Sequence, residues 1–152
     1  MAIETLLLAV GEEDGGRIER FVEETTKVTE PVGAAVTVLH VFTDAELADA
    51  AERLDFDTDV ESPGPDAVAQ RLASVRQVGN GFEDAGVDYE VRGEVGEPST
   101  WINKVAEEIA ADRIVIGGRK RSPTGKAVFG STAQSVMLDA ASPVTFVRSD
   151  GE

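Results

Sequence analysis

Ile114-Val-Ile-Gly-Gly-Arg-Lys-Arg-Ser-Pro-Thr-Gly-Lys-Ala-Val-Phe-Gly-Ser-Thr-Ala-Gln134 carries the decisive pattern of this chain. A short apolar run, as in a buried strand, passes into a Gly-rich basic loop. Gly130-Ser131-Thr132 then opens a helix, and Ser131 and Gln134 have capping-box spacing. Strand, glycine loop, helix is the unit from which parallel α/β sheets are built. The same unit is chemically suggestive. Glycines let backbone approach a ligand closely, and the first N–H groups of a helix lack intrahelical partners. With the helix dipole, those donors favour an anion, commonly phosphate. Arg119, Lys120, Arg121 and Lys126 crowd this loop although the chain as a whole is acidic.

Outward from this unit the pattern repeats. Glu4-Thr-Leu-Leu-Leu-Ala-Val10 is a nearly unbroken apolar run, as expected of a parallel strand covered on both faces. With Asp14 as a plausible N-cap, Ile18, Phe21, Val22, Thr25 and Val28 then recur at helical spacing, and Pro31 and Gly33 end that helix. Ala34 to Phe42 reads as a second buried strand, followed by a short helix from about Asp44 to Leu54. Asp55 to Pro65 reads as a surface loop. Val68, Leu72, Val75, Val78 and Phe82 predict one continuous helix from near Asp66 to a stop at Gly86. Val87 to Arg92 alternates like a strand at a sheet edge. Pro98 fits the first turn of a helix whose apolar face is Trp101, Ile102, Val105 and Ile109. Arg113 to Gly117 and Pro143 to Arg148 supply the last two strands. This alternation predicts one doubly wound α/β domain over 1–152 with a parallel sheet. Ligands of such sheets sit outside the carboxyl ends of the strands, so the loops after Val10, Val41 and Ile116 should meet at one crevice.

Composition narrows the function. Fourteen basic against 29 acidic residues leave a net charge of −15, which argues against general nucleic-acid binding. Scattered carboxylates, scarce lysine and a small-residue core resemble proteins of a saline cytoplasm, and a halophilic, archaeal source is the expectation. With no cysteine and a single histidine, His40, neither a disulfide framework nor a His-cluster metal site is available. Asp57, Asp59 and Glu61 lack the glycine and glutamate spacing of an EF-hand, so calcium is rejected. No apolar run is long enough to span a bilayer, and the N-terminal apolar run has no basic segment before it. The reading is a cytoplasmic protein without membrane attachment.

These residues resemble the universal stress protein family, over essentially the whole chain. Leu39-His40-Val41 matches the family's close of the second strand. Its Gly-x2-Gly-x9-Gly-Ser/Thr pattern reads here as Gly117-Gly118-Arg119-Lys120, nine residues, then Gly130-Ser131, and Ser142-Pro143-Val144 resembles the family's C-terminus. The resemblance implies a five-stranded sheet in the order 3-2-1-4-5, a homodimer joined through the last strand at Val144 and Phe146, and, in one branch, ATP binding, with Mg2+ as a possible companion. Carried onto this chain, Val41 lies by the adenine, while Gly117, Gly130, Ser131 and the Thr132 backbone surround ribose and phosphates. Ala9, Val10 and Gly118 complete the cofactor-binding set, with Arg119 and Lys120 as auxiliary charges. There are two departures. Lys120 stands where the motif has its second glycine, and Gly11 where the family has an acid after the first strand, although Glu12, Glu13 and Asp14 follow closely.

Catalytic machinery is hard to find. There is no Gly-x-Ser-x-Gly elbow, and Thr124-Gly125-Lys126-Ala127 lacks the first glycine and final hydroxyl of a Walker loop. A receiver domain needs an Asp closing the third strand, where this chain has Arg92-Gly93. His40 reads as a satisfied structural group, and Trp101 and Phe21 as core residues. Two functions remain. One is a stress-response regulatory module that holds ATP and hydrolyses it weakly at most. The other is a nucleotide-free homodimeric interaction or adaptor protein of the same fold.

Overall fold

The computed structural model describes residues 3–11, 18–56, 64–118 and 131–148. In chain order its elements are β1 (Thr5–Ala9), α1 (Ile18–Thr29), β2 (Ala35–Phe42), α2 (Asp44–Arg53), α3 (Pro65–Arg71), α4 (Ala73–Ala85), β3 (Tyr89–Val95), α5 (Pro98–Glu108), β4 (Arg113–Gly118), α6 (Ser131–Asp139) and β5 (Val144–Arg148). All four strand pairings are parallel, and the sheet order is β3-β2-β1-β4-β5. The expected topology is therefore the observed one, with β1 at the centre.

Side chains alternate between two apolar layers. Leu6, Leu8, Val36, Val38, Phe42 and Val115 face one layer, which Phe21 of α1, Val68 of α3 and Phe82 of α4 complete. Leu7, Leu39, Ile114 and Ile116 face the other, closed by Ile102 and Val105 of α5 and Ala133 and Val136 of α6. Phe21, Phe42, Phe82 and Leu6 to Leu8 are fully buried, and each such side chain contributes roughly 1.5–3 kcal/mol. Burial on both sides of β1 explains why its sequence is an unbroken apolar run. Among the described residues, no helix is long and apolar enough to cross a membrane.

Two elements differ from the sequence expectation. The helix expected from Asp66 to Gly86 is broken at Leu72, which takes an extended conformation (φ −65°, ψ 138°) between α3 and α4. The apolar spacing survives because Val68, Leu72, Val75, Val78 and Phe82 all bury in one layer. The two pieces have separate tasks: α3 lies on β3, while α4 packs against α1. The third strand is also displaced, running from Tyr89 to Val95 where Val87 to Arg92 was expected. Its inward position in the middle is Gly93, which breaks the visible alternation. A side chain has no room there, because a β carbon on Gly93 would lie 2.2 Å from the Pro65 carbonyl oxygen. Asp66 Oδ1 accepts the Gly93 N–H at 2.7 Å, so α3 occupies part of the outer edge of β3. The edge position of β3 itself is as expected.

The starts of α2 and α5 carry side-chain caps. Thr43 and Glu46 form a reciprocal capping box at α2, with Glu46 N–H donating to Thr43 Oγ1 at 3.1 Å. In α5, Pro98 takes the first turn as expected, and Glu97 is the cap that sequence reading missed. Its carboxylate accepts from Ser99 Oγ at 2.6 Å and from Thr100 N–H at 2.8 Å. These bonds, the serine's foremost, hold the Glu97 carboxyl below its ordinary pKa. The sign follows: the cap's contribution is present above the unfolded carboxyl pKa and is lost as pH falls through the lowered folded value.

Candidate functional site

The strand order reverses beside β1. The chain moves outward through β2 to β3, then returns to place β4 on the other side of β1. The connection after β1 leads to α1 in one layer, whereas the connection after β4 leads to α6 in the opposite layer. The helices after β1 and β4 thus cover opposite faces, and sheets of this kind take their ligands in a crevice at the carboxyl ends of such strands.

Register brings Ala9, Val10, Val41, Gly117 and Gly118 to this end of the sheet. Ala9 of β1 pairs with Leu39 of β2, and Val10 N–H donates to the Leu39 carbonyl at 2.9 Å, which brings Val41 beside the end of β1. On the other side Leu8 pairs with Val115, so Gly117 and Gly118 extend past the same end. Ala9 and Val41 are partly buried and share the α5–α6 layer. Val10 is different: its side chain is buried in the α1 layer, leaving its backbone as the part that borders the crevice. The small Ala9 methyl and the absence of a β carbon at Gly117 fit the close approach of a flat or phosphorylated ligand.

Helix α6 begins at Ser131, with Thr132 half-buried and Ala133 and Val136 anchoring it in the core. Because α6 connects the parallel strands β4 and β5, its N-terminus lies toward the carboxyl end of the sheet. Ser131 is the first helical residue of α6. Arg119, Lys120 and Gly130 lie outside the described residues, as do Glu12, Glu13, Asp14, Arg121, Lys126 and the Asp57 to Glu61 acids.

His40 is structural. Its ring is buried and stands 4.4 Å from the Phe42 ring, and Nδ1 is 2.7 Å from the Val10 carbonyl oxygen. A carbonyl can only accept, so Nδ1 carries the proton and donates. The imidazole thus ties β2 to the residue where β1 meets the crevice, and its role is to place that backbone. Phe21 is a core residue as read, but Trp101 is only partly buried, at the rim of the α5–α6 layer.

A second opening, of about 710 Å³, lies between α4 and the amino half of β3. Arg76, Asn80, Glu83, Tyr89 and Glu90 line it, and its charges are mixed in sign. It sits at the sheet edge, away from the carboxyl ends of the strands.

The model of the universal stress protein family matches residues 3–148. The chain belongs to the universal stress protein family. A universal stress protein of Mycolicibacterium smegmatis is 36% identical over 87 residues, covering 57% of this chain and 67% of that protein. Among solved structures, a universal stress protein in complex with cAMP superposes with a TM-score of 0.66 at 17% identity, covering 99% of this chain and 100% of that one. The universal stress protein from Archaeoglobus fulgidus in complex with dAMP gives a TM-score of 0.60 at 24% identity, covering 97% of this chain and 99% of that one. These likenesses establish that the doubly wound fold derived above is the universal stress protein fold.

Proposed function

We propose that this universal stress protein binds an adenine nucleotide, with ATP and Mg2+ as the working form, at the crevice between β1, β2 and β4. The observation that carries this reading is the convergence of Ala9, Val10, Val41 and Gly117 with the N-terminus of α6 at the reversal of strand order. The cAMP and dAMP held by family relatives of the same fold support it. In this reading Val41 and Ala9 border the base, and Gly117, Gly118, Gly130 and the N–H groups of Ser131 and Thr132 receive ribose and phosphates. Arg119 and Lys120 add charge to the phosphate end. The domain spans 1–152 and acts in the cytoplasm as a stress-response regulator, with hydrolysis weak at most.

Lys120 decides between two behaviours, because it replaces a glycine of the family motif. Calorimetry with ATP and Mg2+ in high salt should show binding by the wild type. Lys120→Gly should raise affinity if the side chain crowds the site and lower it if the ammonium grips phosphate. No heat with ATP, ADP or AMP for either protein would refute nucleotide binding. The homodimeric adaptor reading would then stand, favoured by Gly11 and Lys120.

Dimerisation through β5 belongs to both readings. β5 is an outer strand, Val144 and Phe146 are only partly buried, and Leu138 of neighbouring α6 is 83% exposed. Val144 and Phe146 on this outer strand are the residues proposed to meet a second copy.

The charge of −15 leads to a further expectation, adaptation to salt. Carboxylate repulsion is screened over about 10 Å at 0.1 M salt and about 3 Å at 1 M. Circular dichroism should report partial unfolding when molar KCl is dialysed away. A native spectrum and unchanged Tm in dilute buffer would contradict the halophilic reading.

A further inference from the structure

Trp101 is the chain's single tryptophan, in the first turn of α5. Gly96 holds it in place. A β carbon on Gly96 would lie 2.4 Å from the indole Nε1, and the residue has φ 148°, a conformation that side chains disfavour. The Gly96 N–H in turn donates to the Phe42 carbonyl at 2.8 Å. The indole is thus anchored at the carboxyl end of β2, and it packs on the same layer as Ala9 and Val41. It is not sealed there. One ring face carries the exposed Lys104 side chain, whose Nζ stands 4.5 Å from the ring centroid. A large aromatic surface covered by an ammonium, at the carboxyl end of β2, is suited to a flat π-system that brings negative charge with it.

We propose that Trp101 is the wall of the crevice on which the nucleotide base stacks, with Lys104 leaving the ring face as the base arrives. The inference rests on the nucleotide reading above and adds to it the residue that contacts the base. Helical spacing alone places Trp101 in the core; its anchoring by Gly96 beside the end of β2 gives it this second role.

The test combines tryptophan emission with calorimetry on wild type, Trp101→Ala and Trp101→Phe, each checked for native circular dichroism. ATP and inorganic tripolyphosphate are the probes. ATP should change the wild-type indole emission, whereas tripolyphosphate should not. Trp101→Ala should weaken ATP binding by roughly tenfold or more, as for loss of one base–aromatic stack, and leave tripolyphosphate affinity unchanged. Trp101→Phe should recover most of the loss. The proposal is overturned if ATP binds the wild type without altering emission, or if Trp101→Ala binds ATP as tightly as wild type. Equal weakening toward tripolyphosphate, or no recovery with phenylalanine, would also overturn it by assigning the ring a purely structural role. If calorimetry finds no nucleotide binding by the wild type, the nucleotide reading itself fails and the stacking role falls with it.

Discussion

Gly93→Val should cost about 3 kcal/mol or more and bring a large drop in Tm, because the site it disturbs is made of backbone. A β carbon at this position would lie 2.2 Å from the Pro65 carbonyl oxygen, 2.5 Å from its carbonyl carbon and 3.0 Å from the Asp66 nitrogen. No rotamer relieves such a contact; α3 has to lift from β3. Lifting it also breaks the 2.7 Å bond from Gly93 N–H to Asp66 and pulls the buried Val68 and Ala69 out of the core. Gly64 offers a control one residue before α3. It has open space where a β carbon would stand and is the cap of α3 with φ −73°. Gly64→Ser should be neutral or stabilise by a few tenths of a kcal/mol. Thermal melts of the two variants check both statements. An unchanged Tm for Gly93→Val would show that α3 does not rest on β3 as described.

Gly130→Val should reduce ATP affinity by about a hundredfold or more. Gly130 immediately precedes Ser131, the first residue of the helix whose leading N–H groups are proposed to receive phosphate. A branched side chain there stands where the phosphate has to approach. Losing two charge-assisted hydrogen bonds at about 1.5–3 kcal/mol each accounts for the expected size of the effect. The core anchors of α6, Ala133 and Val136, are untouched, so the variant should remain folded. Calorimetry with ATP, alongside circular dichroism, separates loss of binding from loss of structure.

Most of the fold was legible because its central strands are buried on both faces. Leu6 to Leu8 and Ile114 to Ile116 have no polar residue, Val36 to Val38 only the buried Thr37, and glycine or proline punctuates the elements between them. Periodicity was less informative where one apolar layer receives two separate elements. Val68 and Val75 enter the same layer from α3 and α4, so the turn at Leu72 leaves no trace in the spacing. The limits of β3 were obscured for a related reason: its inward-facing Gly93 contributes no apolar side chain, since the α3 backbone fills that space.

The placement of the candidate site was legible in part. Strand ends and family pattern together pointed to Ala9, Val10, Val41 and Gly117, which the register brings to one end of the sheet. Sequence could not tell that Val10 turns its side chain to the opposite layer, or that His40 is the clamp on the Val10 carbonyl. Nor could it separate Trp101 from its helical neighbours Ile102 and Val105. What distinguishes Trp101 is the position of Gly96, and that contact exists only once β3 and α5 are folded against the end of β2.

The central claim is that the ligand enters where the strand order reverses, and backbone amide chemical shifts during an ATP–Mg2+ titration test it most directly. The largest shifts should fall on Gly11, Val41, Gly117, Ser131 and Thr132. The amides around the second opening, from Gln70 to Asn80 and at Tyr89 to Val91, should stay in place. Shifts concentrated at that second opening, or none at millimolar ATP in high salt, would contradict the account.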